Sequence, residues 1–246
     1  MATTLDRTPA MTSDEVASGG SEVASVAGGS RAVVQKVLVG CGLLYSVSYA
    51  LIPDIAGATG YAGYSPMSQA VSELSATGAP TRAFLTAMIP VWSIIMLAFG
   101  VGVWLSAGGS RALRVTGGLL LAQGVVGTLW LFFPMTSRQE MISGITPAND
   151  VGHIALTVVT VVLILSQIGF GAAAFGMWFR IYSAITAATV LLFGSLTGME
   201  APKVPKGDPT PWMGLFERIN IWAWLVWIAV LAIMVLRTLS TSAEKR

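Results

Sequence analysis

Six long runs of apolar residues, separated by polar segments, dominate the sequence. The runs cover residues 33–52, 83–106, 115–133, 151–174, 181–197 and 219–236. Each is close to the roughly 20 residues that a helix needs to cross about 30 Å of hydrocarbon. Helices are expected because a bilayer offers no partner to unpaired backbone groups. The pattern therefore predicts an all-α protein, a six-transmembrane-helix bundle over residues 32–238.

The polar segments between the runs alternate between short and long. The long ones, residues 53–82, 134–150 and 198–214, follow the first, third and fifth runs and contain proline. Nine of the 14 Lys and Arg residues lie on the side of the short linkers and five on the other side. Because basic residues concentrate in cytoplasmic loops, we predict that both termini are cytoplasmic and that the three long loops face outward.

The two ends of the chain lack the hydrophobic pattern of the bundle. Residues 1–31 consist mostly of Ala, Ser, Thr, Gly and Val with mixed charges, so we expect a disordered N-terminal tail. Residues 239–246 form a short C-terminal tail. The membrane domain between the tails is expected to hold all of the folded structure.

The first long loop carries signals for a short helix. Ser65 is suited to cap a helix, Pro66 to occupy its first position and Gly78 to end it. Polar residues that include Ser68 and Ser72 would share one face of this helix, and apolar residues would share another. We predict a short interfacial helix that lies at the membrane surface or folds back over the bundle.

Composition supports a membrane location and excludes several functions. Hydrophobic residues make up 54% of the chain and charged residues 11%, and the mean hydropathy is +0.73, far too apolar for a soluble domain. The net charge of +2 comes from scattered basic residues, so nucleic-acid binding is not expected. Cys41 is the single cysteine, which excludes an intrachain disulfide. We predict a multi-pass protein of the cell membrane whose partners are membrane lipids or hydrophobic small molecules.

The unusual ionisable residues lie near the outward ends of the predicted helices. Glu217 and Arg218 precede the last apolar run, Glu200 follows the fifth, and Glu73 belongs to the first long loop. Charges beside hydrocarbon are costly unless they stay wet or find partners. Neighbours on a helix point about 100° apart, so Glu217 and Arg218 cannot face the same spot. We expect one of them to turn into the bundle and pair with another span.

The sole histidine, His153, lies at the start of the fourth run, three positions after Asp150. Asp150 is placed to cap that helix and to accept a hydrogen bond from the imidazole. A lone histidine cannot build a multi-histidine metal centre, and no dinucleotide or nucleotide-binding motif is present, so neither a metal nor a cofactor is expected. His153 is better suited to carry a proton, because imidazole titrates near physiological pH.

Four short motifs occur in the order of a known family. They are Ser72-Glu-Leu-Ser-Ala-Thr-Gly-Ala-Pro in the first long loop, Phe132-Phe-Pro134 at the end of the third run, the single His153, and Gly214-Leu-Phe-Glu-Arg-Ile before the sixth run. Together they resemble the bacterial and archaeal membrane family catalogued as domain of unknown function 998, over nearly all of the chain between the tails. The resemblance implies six helices and a shared polar site at their outer ends, and it implies no activity.

Three functions fit these residues. The leading hypothesis is an outward-facing polar pocket that binds a lipid headgroup or another amphipathic small molecule, with Arg218 as the anion contact and Ser68, Ser72 and Asp150 as further ligand-binding residues. The alternative is an intramembrane acid–base enzyme, similar to a cyclase or isomerase, whose candidate catalytic residues are Glu73, His153, Glu200 and Glu217. The third is a transporter or a scaffold, although no run carries a charge near its middle, where transport sites usually lie.

Overall fold

Helices form the regular structure of this protein. The computed structural model describes residues 13–144 and 149–244. Within these ranges there is no strand, and the α-helices are α1 (Ser13–Gly60), α2 (Arg82–Ser106), α3 (Arg111–Thr128), α4 (Arg138–Ile142), α5 (Asn149–Ala173), α6 (Met177–Glu200) and α7 (Met213–Glu244). Short 3₁₀ segments occur at Ser72–Ser75, Leu129–Leu131 and Ala201–Lys206.

Six helices in the described part of the chain are long and apolar enough to cross a bilayer. They are α1 from Ser30 onward, α2, α3 with its 3₁₀ extension, α5, α6 and α7. The six predicted apolar runs coincide with these six helices, so the prediction of an all-α six-helix membrane protein is confirmed. The three loops 61–81, 132–144 and 201–212 lie at one end of the bundle, which we call the long-loop end.

The first and last helices are longer than the sequence predicts. α1 begins at Ser13, so the described part of the expected disordered tail is helical, and residues 1–12 lie outside the described residues. α1 also continues through Pro53 to Gly60, although we expected the span to end before this proline. A proline removes one backbone hydrogen bond and bends a helix without having to end it. α7 likewise runs to Glu244, into the expected C-terminal tail.

The first long loop folds back over the bundle instead of forming the predicted helix from Pro66 to Gly78. Only Ser72–Ser75 is helical, as a 3₁₀ segment, and Leu74 within it is fully buried. Carbonyls that a longer helix would use internally accept other donors: Met67 O accepts the Leu215 N–H at 3.0 Å, and Gln69 O accepts the Arg218 guanidinium at 2.8 Å. Tertiary hydrogen bonds therefore replace those of the predicted helix.

Glycines allow the first three helices to pack closely. A Cβ atom at Gly102 of α2 would lie 2.7 Å from the backbone nitrogen of Val39 in α1. A Cβ atom at Gly117 of α3 would lie 2.8 Å from the backbone nitrogen of Trp104 in α2. Such close backbone approach is how membrane helices gain van der Waals contact in the absence of a hydrophobic drive.

A buried polar network joins α3, α5 and α7 inside the bundle. The Trp224 indole N–H donates to Gln167 Oε1 at 3.1 Å, and Gln167 Nε2 donates to Gln123 Oε1 at 3.3 Å. Gln167 is fully buried, where an unpaired amide would be costly. The network therefore fixes the side chains of Trp224 and Gln123, both of which border an internal cavity.

Candidate functional site

Arg218 is the centre of a buried network that attaches the first long loop to α1 and α7. Its side chain is 3% exposed, and its Nε and Nη2 donate to Asp54 Oδ1 at 2.9 and 2.7 Å. Nη1 donates to the carbonyl oxygens of Pro66, Gln69 and Gly214 at 2.7–2.9 Å. Nη2 also donates to the Tyr64 hydroxyl. Because a guanidinium has five N–H groups, this set occupies every donor and leaves none for a ligand anion.

Tyr64 completes the Arg218 network. Its hydroxyl donates to Asp54 Oδ1 at 2.7 Å, and the Arg218 guanidinium carbon lies 5.7 Å from the centre of its ring. Burial of the hydroxyl raises the pKa of Tyr64, and the hydrogen bond to Asp54 raises it further. The phenol therefore stays a neutral donor at physiological pH.

A second network, centred on Arg138, links the three long loops to one another. Arg138 of α4 forms a bidentate pair with the buried Glu73, at 2.8 Å from Nη2 to Oε1 and 3.1 Å from Nε to Oε2. Its Nη1 donates to Thr210 Oγ1 at 2.9 Å, and its Nη2 donates to Ser68 O at 3.3 Å. The predicted site residues Ser68 and Glu73 thus hold the loops together.

Glu140 strengthens the contact between the first and second long loops. Ser137 and Glu140 form a capping box at the start of α4, and the Thr77 hydroxyl also donates to the Glu140 carboxylate. These hydrogen bonds, the one from Thr77 first, lower the pKa of Glu140. The carboxylate therefore stays ionised and keeps its acceptor role near neutral pH.

Beneath these loops lies a cavity of about 250 Å³ at the long-loop end of the bundle. α1, α2, α3, α5 and α7 contribute side chains to its wall, and the first and second long loops cover it. The charged and titratable groups among its described lining residues are Arg82, His153, Glu217 and the phenols of Tyr45 and Tyr49. The cavity is therefore polar in places although most of its wall is apolar.

Glu217 projects from the first turns of α7 into this cavity. Its Oε2 accepts the Val71 N–H, and its Oε1 accepts the Ser72 hydroxyl at 3.1 Å. Glu217 belongs to no ion pair of the described residues. The ion pairs there join Glu73 to Arg138, Glu200 to Lys203 and Asp54 to Arg218. The adjacent Arg218 pairs with Asp54, so this carboxylate meets the cavity without a salt bridge to the described residues.

Arg82, the first residue of α2, supplies a cation to the same cavity. Its Nη1 donates to the carbonyl oxygen of Ser75 at 2.8 Å, and no ion pair of the described residues includes it. A single carbonyl uses one of the five N–H groups of a guanidinium. Arg82 is therefore able to donate to an anionic group in the cavity.

His153 and Asp150 do not form the predicted pair. His153 Nδ1 lies 3.1 Å from the Phe133 carbonyl oxygen, which only accepts, so Nδ1 carries the proton. The imidazole packs edge-on against Trp130, with the ring centres 4.9 Å apart. Asp150 Oδ1 instead accepts the backbone N–H of Thr136 at 2.9 Å and its hydroxyl at 2.8 Å. Asp150 thus fixes the second long loop, while His153 borders the cavity.

Aromatic side chains form the deeper wall of the cavity. Tyr49 lies between Tyr45 and Trp92, with ring-centre distances of 5.6 and 4.8 Å, and Trp224 meets Tyr45 edge-on at 5.9 Å. Trp92 is 6% exposed, and its indole N–H makes no hydrogen bond to the described residues. The buried Thr160 hydroxyl on the facing helix α5 is also unpaired within that part of the chain. Both residues border the cavity.

The structure brings together only part of the predicted site. Of the eight predicted residues, Ser72, His153 and Glu217 border the cavity, whereas Ser68, Glu73, Asp150, Glu200 and Arg218 do not. Glu200 lies at the end of α6, where its Oε1 accepts Lys203 Nζ at 2.7 Å and its buried Oε2 makes no hydrogen bond to the described residues. No group of three or more His, Cys, Asp and Glu residues in the described ranges is placed to hold a metal ion.

Three residues of these networks and of the cavity wall are absent from the predicted site: Asp54, Arg138 and Arg82. Asp54 follows a proline that we expected to end the first span, so it falls within the first long loop of the predicted topology. Arg138 and Arg82 were counted only as basic residues that set the orientation. A signal was present for Arg82, because it immediately precedes a long apolar run and so lies where a charge needs a partner.

The family model described as "Protein of unknown function (DUF998)" matches residues 38–234. The chain belongs to the DUF998 family. The match extends over all the residues that line the cavity of this DUF998 protein and over both loop networks, and it confirms the resemblance carried by the four motifs. Neither a curated protein nor a solved structure matches the chain.

Proposed function

We propose that this DUF998 protein binds an amphipathic small molecule, such as a single-chain lipid, in the cavity at its long-loop end. The observation that carries the proposal is one cavity with two unlike halves. Arg82, Glu217 and Ser72 border it beneath the loops, and Trp92, Met96 and Ile164 border it deeper in the bundle. A polar head would lie against the first half and an apolar tail against the second, as ligand pockets commonly combine a few polar groups with an apolar wall.

The length of the cavity favours an extended, narrow ligand. Its lining on α2 runs from Arg82 to Met96, about 21 Å of helix axis at 1.5 Å per residue. On α5 it runs from His153 to Ile164, about 16 Å by the same measure. Since the volume is only about 250 Å³, the space is long and thin. It suits a headgroup with part of one alkyl chain better than a diacyl lipid.

The unpaired groups of the wall add a further requirement on the ligand. An indole N–H only donates, so Trp92 calls for an acceptor, and the Thr160 hydroxyl can either donate or accept. A ligand with an ester, amide or hydroxyl oxygen partway along its apolar portion would satisfy both. Pairing these buried groups would recover part of the cost of leaving them unpaired.

Arg82→Ala tests the proposal. We expect it to weaken binding of a radiolabelled single-chain lysophospholipid by about 10–100-fold, because a hydrogen bond to a charged group is worth about 1.5–3 kcal/mol. The measurement is equilibrium binding to the protein in lipid nanodiscs. Arg114→Ala is the matched control, because Arg114 also donates to one carbonyl, Gly108 O at 3.0 Å, but lies at the other end of the bundle. Equal binding by both variants, or no saturable binding by the wild type, would contradict the proposal.

The acid–base enzyme is the second candidate, favoured by one observation. Of its four candidate residues, His153 and Glu217 line the same cavity, and the imidazole Nε2 is left without a proton when Nδ1 donates to Phe133 O. One group could then take up a proton while the other releases it. Product analysis with Glu217→Gln and His153→Gln tests this. If both variants still turned over an amphipathic substrate, these two residues would be excluded as the acid and the base.

A further inference from the structure

We infer that the head group accepted by this cavity is zwitterionic, with an ammonium group held by Glu217 and the neighbouring aromatic rings and an anionic group held by Arg82. The inference rests on the proposed function and names the class of amphiphile. Its basis is that one small cavity holds an acid and a base, neither of which belongs to an ion pair of the described residues.

The 3₁₀ segment Ser72–Ser75 keeps the two charges apart. Glu217 accepts the Ser72 hydroxyl at one end of the segment, and Arg82 donates to Ser75 O at the other end. Three residues of 3₁₀ helix rise about 6 Å. The carboxylate and the guanidinium therefore lie beside the same loop segment without neutralising each other, and a ligand that carries both signs can contact both.

The surroundings of Glu217 suit an ammonium group. Six aromatic rings line the cavity together with Glu217, those of Tyr45, Tyr49, Trp92, Trp130, Phe133 and Trp224. The negative faces of aromatic rings attract organic cations, and aromatic cages are the usual sites for quaternary ammonium groups. A carboxylate next to such rings adds a full charge to that attraction. Glu217 and Tyr49 together thus form the cationic subsite.

The Arg82 side suits a phosphate or carboxylate. Guanidinium groups bind such anions through parallel hydrogen bonds, and Arg82 uses one donor on Ser75 O. Ser72, Ser75 and His153 also line the cavity, but the Ser72 hydroxyl donates to Glu217, the Ser75 hydroxyl to Ser72 O and His153 Nδ1 to Phe133 O, so the free N–H donors of this subsite are those of Arg82. Among the described residues that line the cavity, Glu217 is the one acidic side chain. The anionic subsite therefore lies near no second carboxylate of the cavity wall.

Three probes with the same dodecyl chain separate the two subsites: dodecylphosphocholine, dodecyl phosphate and dodecyltrimethylammonium. We expect the wild type in nanodiscs to bind the zwitterion most tightly. Glu217→Gln should lower the affinity for the zwitterion and for the cation by about tenfold or more and leave the affinity for the anion unchanged. The reason is that the amide keeps an acceptor for Ser72 but loses the charge. Arg82→Ala should lower the affinity for the zwitterion and for the anion and leave the affinity for the cation unchanged.

Two further variants complete the test. Tyr49→Leu removes an aromatic ring and keeps the Glu217 carboxylate. It should lower the affinity for the zwitterion and for the cation. This variant keeps the inference testable if Glu217→Gln fails to fold. Asp208→Asn, at an exposed position of the third long loop, is the matched control and should leave all three probes unchanged. If Glu217→Gln and Tyr49→Leu both left the affinity for all three probes unchanged, the zwitterion inference alone would be overturned. Failure of the wild type to bind any probe would overturn the proposed function itself.

Discussion

Replacing Arg218 with methionine lowers the free energy of unfolding by about 3 kcal/mol, the lower end of the usual cost of breaking a buried ion pair, because the Asp54 side chain left behind is 29% exposed. The substitution leaves Asp54 without its cation and leaves the carbonyl oxygens of Pro66, Gln69 and Gly214 without their donor. The loss is measured by equilibrium unfolding in mixed micelles. The same variant should make the first long loop more accessible to protease, because its carbonyls lose their contact with α7.

Two controls assign this loss to the network. Arg237→Met changes an exposed arginine near the opposite end of the same helix and should alter the free energy of unfolding by less than about 0.5 kcal/mol. Asp54→Asn in the Arg218→Met background removes the unpaired charge and should restore part of the stability. An Arg218→Met protein as stable as the Arg237→Met protein would show that the buried pair does not hold the loop.

Gly214→Ala displaces the first long loop. A Cβ atom at Gly214 would lie 2.5 Å from the Pro66 carbonyl oxygen and closer still to that of Gln69, both of which belong to backbone that cannot rotate away. Overpacking of this kind typically costs about 1–3 kcal/mol. Because the same two carbonyls accept Arg218, we expect the added methyl group to weaken the Arg218 network and to lower ligand affinity along with stability.

Gly198→Ala is the control for this prediction. Gly198 lies within α6, and a Cβ atom there would have no neighbour within 4 Å. Alanine is favoured over glycine in a helix by about 0.5–1 kcal/mol, so this variant should be slightly stabilised. Thermal unfolding of the two purified variants gives the comparison. A Gly214→Ala protein that matches Gly198→Ala in unfolding temperature would contradict the close packing of loop and helix.

The membrane helices follow directly from the sequence because the bilayer imposes a length and an apolar composition that few other structures share. Their ends are less predictable. Pro53 lies inside α1, since the helix continues to Gly60 and only bends or loses a hydrogen bond at the proline. The first long loop has the capping signals of a helix, but its carbonyls serve Arg218 and Leu215, which no local pattern reveals.

The sequence predicts the kind of candidate site better than it predicts which residues line it. The argument that adjacent helix residues face different directions applies to Glu217 and Arg218, since Glu217 borders the cavity and Arg218 contacts Asp54. Which partner each would find depends on loops that are distant in sequence, as in the pairing of Glu73 with Arg138. Charge alone therefore identifies residues that need partners, and only the packed loops separate those that hold the structure from those that face a ligand.

In the proposed function, an amphiphile enters the cavity with its tail between α2 and α5. Photo-crosslinking with a dodecylphosphocholine analogue that carries a diazirine on its chain tests it most directly, with the labelled residues read by peptide mass spectrometry. We expect labelling of the cavity-lining Trp92 and Thr160, with loss of that labelling in Glu217→Gln. Labelling confined to Ile94 and Val158, which are exposed on the outer faces of the same two helices, and unchanged in that variant, would contradict it.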